Sequence, residues 1–208
     1  MKYSLALEHA EEIKQILSPF CERIEIAGGI RRQKEEPHDI EIVCQPRSLP
    51  AIFTDYDNEV NMLDHTIKGM LRKSDINLVT NGDSDKAGKK APCGPKYYRL
   101  KYRGEKLDIF SVIPPAQWGT VFLIRTGDAD FSHEFVTRLW KFNLRSVDGH
   151  IERIWAHSEL MKRHPEKYAP IVENTPEEID AFNLCQLGFI EPKDRTKDIF
   201  LRLKELHA

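Results

Sequence analysis

The run His38-Asp39-Ile40-Glu41-Ile42-Val43 alternates two carboxylates with apolar, β-branched residues. That alternation has the period of a strand with one apolar and one acidic face. Residues i and i+2 of a strand project to the same side, so Asp39 and Glu41 are expected together. Two carboxylates that close repel each other unless a cation lies between them. Oxygen ligands favour a hard divalent ion, Mg²⁺ above all. The alternative is an edge strand whose acids face water, a common arrangement. Upstream, the strand pattern RIEIAGG ends at Gly28-Gly29, and Arg31 and Arg32 follow. Backbone N–H groups without side chains beside them can approach a phosphate closely, and guanidinium matches phosphate oxygens in pairs. Farther on, Leu107-Asp108-Ile109-Phe110 offers a third acid flanked by apolar residues. Three carboxylates on strands, with glycines and arginines for phosphates, are the residue set of a two-metal phosphoryl-transfer site. Asp39, Glu41 and Asp108 are then expected as metal ligands and catalytic residues, with Gly28, Gly29 and Arg32 on the triphosphate.

Composition narrows the classes. The chain has 208 residues, 40% hydrophobic and 31% charged, with a formal net charge of -2. Such a balance supports a folded core and excludes global disorder. No apolar run approaches the ~20 residues that span a bilayer. The N-terminal MKYSLALEHAEEIKQIL turns acidic where a signal peptide needs an apolar segment. It reads as an amphipathic helix, and the protein is expected to be cytoplasmic, with no membrane partner. Cys21, Cys44, Cys93 and Cys185 form no CxxC pair and are expected as reduced, packed thiols. His150, His157 and His164 recur every seven residues, but the Asp148-Gly149 turn and Pro165 break any shared helix, so no metal site is expected there.

The element pattern is α+β. A first helix is expected from Ser4 to Leu17, capped by Ser4, with Leu5, Ala6, Ile13, Ile16 and Leu17 buried. Strands follow at RIEIAGG and DIEIVCQ, then a helix near Glu59 to Arg72 and a strand at INLVT that opens into a polar loop. YYRLKYRGEKLDIFSVI reads as two strands joined by an Arg-Gly turn. Beyond PPAQW, an apolar segment passes through Thr126-Gly127 into an amphipathic helix, and LRSVDGHIER is a hairpin. SELMKRHPEKYAP reads as a basic, loop-like insertion. Thr175 is expected to cap a last helix, with Pro176 first inside it and Glu178 at the capping-box position. A boundary between residues 125 and 126 separates a larger sheet-and-helix unit (1–125) from a smaller mixed one (126–208). From Lys86 to Lys106 the chain is strongly basic with interleaved tyrosines. The run is either a solvated face or a nucleic-acid contact through Lys96, Arg99, Lys101, Arg103 and Lys106.

The order GG-x-RR, a short spacer, D-x-E and a distant LD on a strand resembles the nucleotidyltransferase superfamily. Within it, the chain is similar to the X-family DNA polymerases, the polymerase-beta family. Arg125-Thr126-Gly127 stands where that family has an aromatic-Thr-Gly turn, and Phe131 follows at the matching spacing. TPEEIDAFNLCQLGFIEPKDR resembles the family's C-terminal helix and its EPKDR ending. The resemblance runs from the first helix to about Arg195. It implies a catalytic palm followed by a smaller nucleotide-selecting subdomain, with Arg125, Thr126, Gly127 and Phe131 near the sugar and base. It also implies two Mg²⁺ (or Mn²⁺) ions, a nucleoside triphosphate, primed or gapped DNA and a monomeric enzyme, used in short-gap filling or repair. No lyase, helix-hairpin-helix or exonuclease segment has a counterpart.

Three departures stand out. The family's Gly-Ser pair is Gly28-Gly29, which removes one hydroxyl from the triphosphate at a cost of ~0.5–1.5 kcal/mol. Glu41 replaces an aspartate. Ile124 and Arg125 stand where aromatics meet the sugar, so selection against ribonucleotides is expected to weaken. Ser132 and Val136 also replace polar groups that touch base pairs, which leaves template reading less secure than transfer itself. A template-independent nucleotidyltransferase acting on RNA, a protein or a small molecule is the alternative, and a non-catalytic nucleic-acid-binding module is a second.

Overall fold

The computed structural model describes residues 1–49, 60–73, 78–80, 93–154 and 170–205. The basic stretch 86–92, His157, His164 and most of the SELMKRHPEKYAP insertion lie outside these residues. The protein is α+β and divides into two compact units, Met1–Ile113 and Pro114–Ala208.

The first unit begins with α1 (Tyr3–Leu17) and β1 (Cys21–Ile26), then a single helical turn, α2 (Gly28–Arg31), and β2 (Ile40–Pro46). Two short strands, β3 (Ser48–Leu49) and β4 (Val60–Asn61), pair with each other before α3 (Met62–Lys73). The strands β5 (Leu78–Thr80), β6 (Cys93–Gly94), β7 (Tyr97–Tyr102) and β8 (Glu105–Ser111) complete the unit. The sheet order is β1-β2-β8-β7-β5, with β6 also on β7. All its pairings are antiparallel except β2 with β8, which is parallel.

Strand alternation sorts the side chains of this sheet. Ile40, Ile42 and Cys44, Leu107 and Ile109, and Tyr98, Leu100 and Tyr102 share one core with Ala6, Ala10, Ile13 and Leu17 of α1 and Leu63 and Ile67 of α3. Glu41, Asp108 and Arg99, at the intervening positions, belong to the opposite face. The β7–β8 hairpin closes on Arg103-Gly104, both with positive φ (51° and 87°), the geometry of a tight two-residue turn.

The first helix departs from expectation at its start. It begins at Tyr3 after Lys2, with no side-chain cap, and Ser4 lies inside it. Its buried stripe is Ala6, His9, Ala10, Ile13 and Leu17, while Leu5 is 41% exposed. The stripe is small because α1 lies directly on the sheet. His9 takes a place among the apolar residues by meeting the Tyr102 ring edge-on, with centroids 5.7 Å apart. Three cysteines are buried and Cys93 is exposed.

The second unit carries α4 (Trp118–Thr126), α5 (Ala129–Leu139), β9 (Leu144–Val147), β10 (His150–Arg153), β11 (Ile171–Glu173), α6 (Glu178–Leu184) and α7 (Lys197–Glu205). The three strands form an antiparallel sheet in the order β11-β10-β9. The expected boundary at 125/126 falls at the end of α4. The apolar segment before Thr126 is therefore a helix, whose Leu123 joins the core of the second unit with Phe131, Phe135, Leu139, Leu144, Ile151 and Phe182. The α6 cap also lies two residues later than expected. Glu177 is the N-cap and forms a capping box with Asp180. Thr175 is buried instead, its hydroxyl 2.7 Å from that of Thr120 and 3.2 Å from Gln117 Oε1.

Among the described residues, Arg195 is the largest fully buried side chain. Its guanidinium forks onto both carboxylate oxygens of Glu178, donates from Nε to the Ile190 carbonyl at 2.9 Å, and lies over the rings of Phe182 and Phe189. Removing one partner of such a pair strands a buried charge, whereas an apolar pair of similar volume avoids desolvation. Arg195→Ala is expected to cost about 3–5 kcal/mol in urea unfolding. Arg195→Met combined with Glu178→Leu should cost far less than the two single changes added together.

Candidate active site

A single row of side chains crosses three strands. In the parallel pair, Glu41 lies opposite Asp108, and in the β7–β8 hairpin Asp108 lies opposite Arg99. Asp39 stands one residue before β2, at the end of the bend that leads into it. Asp108 is only 7% exposed. Burial raises the pKa of the Asp39 carboxyl, and the nearby Asp108 charge raises it further, against His38, Lys106 and Arg32. The structure therefore brings Asp39 within electrostatic reach of Asp108, and Glu41 into backbone register with it.

Each acid has its own support. The Glu41 backbone carbonyl accepts from the Ala27 N–H at 2.8 Å, which ties β2 to the start of α2. Its carboxylate lies over Gly28, so closely that a Cβ on that residue would fall on it. Gly28 also has φ +59°. A glycine is thus required twice at this position, by the backbone conformation and by Glu41. Gly29 differs, because a Cβ there would meet Pro37 at an ordinary 3.6 Å. The space above Gly28 therefore holds a carboxylate where sequence reasoning expected a phosphate to approach, while Gly29 can accept a side chain.

Asp108 is held by Arg99, whose Nε donates to Oδ1 at 3.1 Å and whose Nη2 donates to Oδ2 at 3.3 Å. This hydrogen bonding raises the already high pKa of the guanidinium. Tyr97 lies two residues away on the same strand, with Arg99 5.4 Å over its ring. Its own ring stacks on Phe110 at 4.7 Å and 5°. Burial, then the charge of Asp108, pushes the Tyr97 phenol up to about 12.

Among the other basic positions, Lys101 and Lys106 share the strand face of Arg99 and Asp108, while Lys96 and Arg103 lie in turns. Lys96 lies in the turn before β7 and is exposed. Lys101 and Lys106 are register partners across the hairpin, and Lys106 adds to the field on Asp39. Arg103 sits at the hairpin turn, where it pairs with Glu12 of α1 at 3.1 Å and covers the Tyr102 ring. Both arginines of the expected nucleic-acid contact thus hold carboxylates of the protein itself.

Around the Thr126-Gly127 turn of the second unit, packing dominates. The side chains of Thr126 and Phe131 are fully buried, and Phe131 packs against Phe182 and Phe200. Gly127 leaves room for the Phe131 ring and the Ser132 hydroxyl, which donates to the Ile124 carbonyl at 2.8 Å. Arg125 is exposed on α4. At the β9–β10 turn, His150 Nε2 lies 3.4 Å from Glu152 Oε2, and Arg145 pairs with the same carboxylate.

The donor set suits a hard divalent cation, since all three candidate ligands are carboxylates and two already repel each other. With Asp108 turned to Arg99 and Glu41 folded over Gly28, no three His, Cys, Asp or Glu side chains among the described residues converge as a finished cage. Cation binding would therefore require these side chains to reorient on a fixed strand framework. In comparison with known proteins, no family model and no curated protein matches the chain.

Two consequences follow for stability. Gly28→Ala should lose about 1–2 kcal/mol to the left-handed backbone alone, with displacement of Glu41 adding to it. Gly29→Ser should cost less than Gly28→Ala, because a Cβ at Gly29 meets Pro37 at ordinary contact distance, and denaturant titration of both variants compares them. Asp39 behaves differently. A raised folded pKa means that stability is fully present below the unfolded carboxylate value and is lost as pH rises through the folded one. Asp39→Asn should therefore raise the melting temperature at neutral pH in EDTA, and the gain should vanish as pH falls below the carboxylate range.

Proposed function

We propose that this protein is a Mg²⁺-dependent nucleotidyltransferase, a small DNA-directed DNA polymerase that extends a primer 3′-hydroxyl on primed or gapped DNA. The observation that carries the reading is the row on β2 and β8. Glu41 and Asp108 are register partners on parallel strands, Asp39 lies two residues before Glu41, and Asp39 feels the charge of Asp108. A polypeptide gains no stability from gathering acids in this way, because each raises the cost of ionising its neighbour. Cation binding supplies a reason for them.

On this reading Asp39, Glu41 and Asp108 would hold Mg²⁺ (or Mn²⁺). When bound, such ions supply Lewis-acid charge for the attacking hydroxyl and the leaving pyrophosphate. Asp108 would orient the primer 3′-hydroxyl. With Glu41 turned from Gly28 to a cation, the N–H groups around Gly28 and Gly29, together with Arg32, would bind the triphosphate, which a guanidinium matches in charge and shape. Lys96, Lys101 and Lys106 would supply charge for the DNA backbone, and a cytoplasmic location would fit those substrates. Among the described residues no helix is long and apolar enough to cross a membrane. Of Arg125, Thr126, Gly127 and Phe131, the exposed Arg125 and the half-buried Gly127 would shape the sugar and base site, because Thr126 and Phe131 are buried. That same burial favours a second reading, a template-independent transferase with the same carboxylates.

Incubation with a primed template, Mg²⁺ and each of the eight common nucleoside triphosphates separately tests both readings. Template-directed addition supports the polymerase, addition indifferent to the template supports the second reading, and the ribonucleotide lanes report sugar choice. Asp108→Asn should abolish nearly all transfer while leaving the fold intact. A variant within roughly tenfold of the unaltered rate, ~1.4 kcal/mol of barrier, would sink the carboxylate assignment.

A further inference from the structure

Arg99 occupies both oxygens of Asp108 at 3.1 and 3.3 Å, and the hairpin register makes the two direct cross-strand neighbours. The guanidinium is set from below by Tyr97, which itself stacks on Phe110. Position and direction are thus both determined, which is more than a solvated surface arginine shows. The side chain is nonetheless 46% exposed, so it can swing away without breaking a core. Its charge is opposite to that of the acids and equal in sign to that of a divalent cation. A guanidinium and a cation on one carboxylate therefore compete, through mutual repulsion and for the same lone pairs.

We propose that Arg99 is a positioning residue that serves as the resting counterion of Asp108. It holds the carboxylate while the site is empty and yields it to a divalent cation. This rests on the assignment of Asp108 as a metal ligand. It gives Arg99 a role different from a DNA phosphate contact, and it explains how three acids share one face in the metal-free protein.

The test is Mn²⁺ binding to the full chain without nucleotide or DNA, followed by electron paramagnetic resonance of the free ion at constant ionic strength. Arg99→Met should bind Mn²⁺ about fivefold more tightly than the unaltered protein, because the competing charge is gone. Arg99→Lys, which keeps the charge and loses the fork, should fall between the two. In EDTA, Arg99→Met should melt lower, and saturating Mn²⁺ should raise its melting temperature by more than it raises that of the unaltered protein. Unchanged or weaker Mn²⁺ binding in both folded Arg99 variants overturns the proposal. So does a DNA-binding salt slope flattened by about one ion with Mn²⁺ affinity unmoved, which would mark a phosphate contact. Asp108→Asn separates the two levels. Mn²⁺ binding lost in Asp108→Asn but indifferent to Arg99 defeats this inference alone. Binding indifferent to Asp108 defeats the ligand assignment and this inference with it.

Discussion

Parallel hydrogen bonding between β2 and β8 determines where the acids of the central row sit. It sets Glu41 opposite Asp108, and by alternation it sets Ile40, Ile42, Leu107 and Ile109 on the other face. A slip of one residue would turn the acids into the core and the isoleucines out of it. The helices α1 and α3 then cover the apolar face, because that is where burial removes hydrocarbon from water. The acids are thus gathered as the other side of the same pattern that builds the core, and neither can be moved without the other.

Gathering them raises a problem of charge, and the structure meets it locally. Arg99 neutralises Asp108 from the neighbouring strand, while Lys106 and Arg32 reach Asp39 with opposite charge at longer range. Burial and the Asp108 carboxylate still prevail at Asp39, whose pKa stays raised. The Glu41 carboxylate lies over Gly28. The arrangement at rest is therefore a framework with its acids separately accommodated. The strands fix the backbone of Glu41 and Asp108, and Asp39 approaches them from the bend before β2.

Much of this could be read from the sequence, and some of it was legible but misassigned. The apolar alternation around Asp39, Glu41 and Asp108 gave the strands and their faces because period-2 patterning survives any tertiary context. The Arg103-Gly104 turn also carried more than a hairpin. A two-residue loop pairs Tyr102 with Glu105, and counting outward pairs Arg99 with Asp108. The ion pair is therefore implicit in the spacing of the hairpin. The cap of α6 was misplaced because Thr175 has a suitable hydroxyl but turns it inward to Thr120 and Gln117. The resemblance implies Phe131 near the sugar and base, and its position in α5 places its ring in the core of the second unit. Local motif and tertiary packing compete for such residues, and one sequence does not say which prevails.

The two units hold their buried charge in different ways, one in an enclosed ion pair and one in a pair open to water. Arg195 and Glu178 are both buried, and the arginine is further satisfied by a backbone carbonyl and enclosed by two aromatic rings. Every path out of that pair strands a charge in a low-dielectric core, so it acts as a fixed strut. Arg99 and Asp108 share the forked geometry, but the arginine is half in water and its partner has a second acid within electrostatic reach. Release of Arg99 costs little because solvent receives the guanidinium. On the proposed reading, a divalent cation that takes the place of the guanidinium would keep Asp108 from being left as an unpaired buried charge.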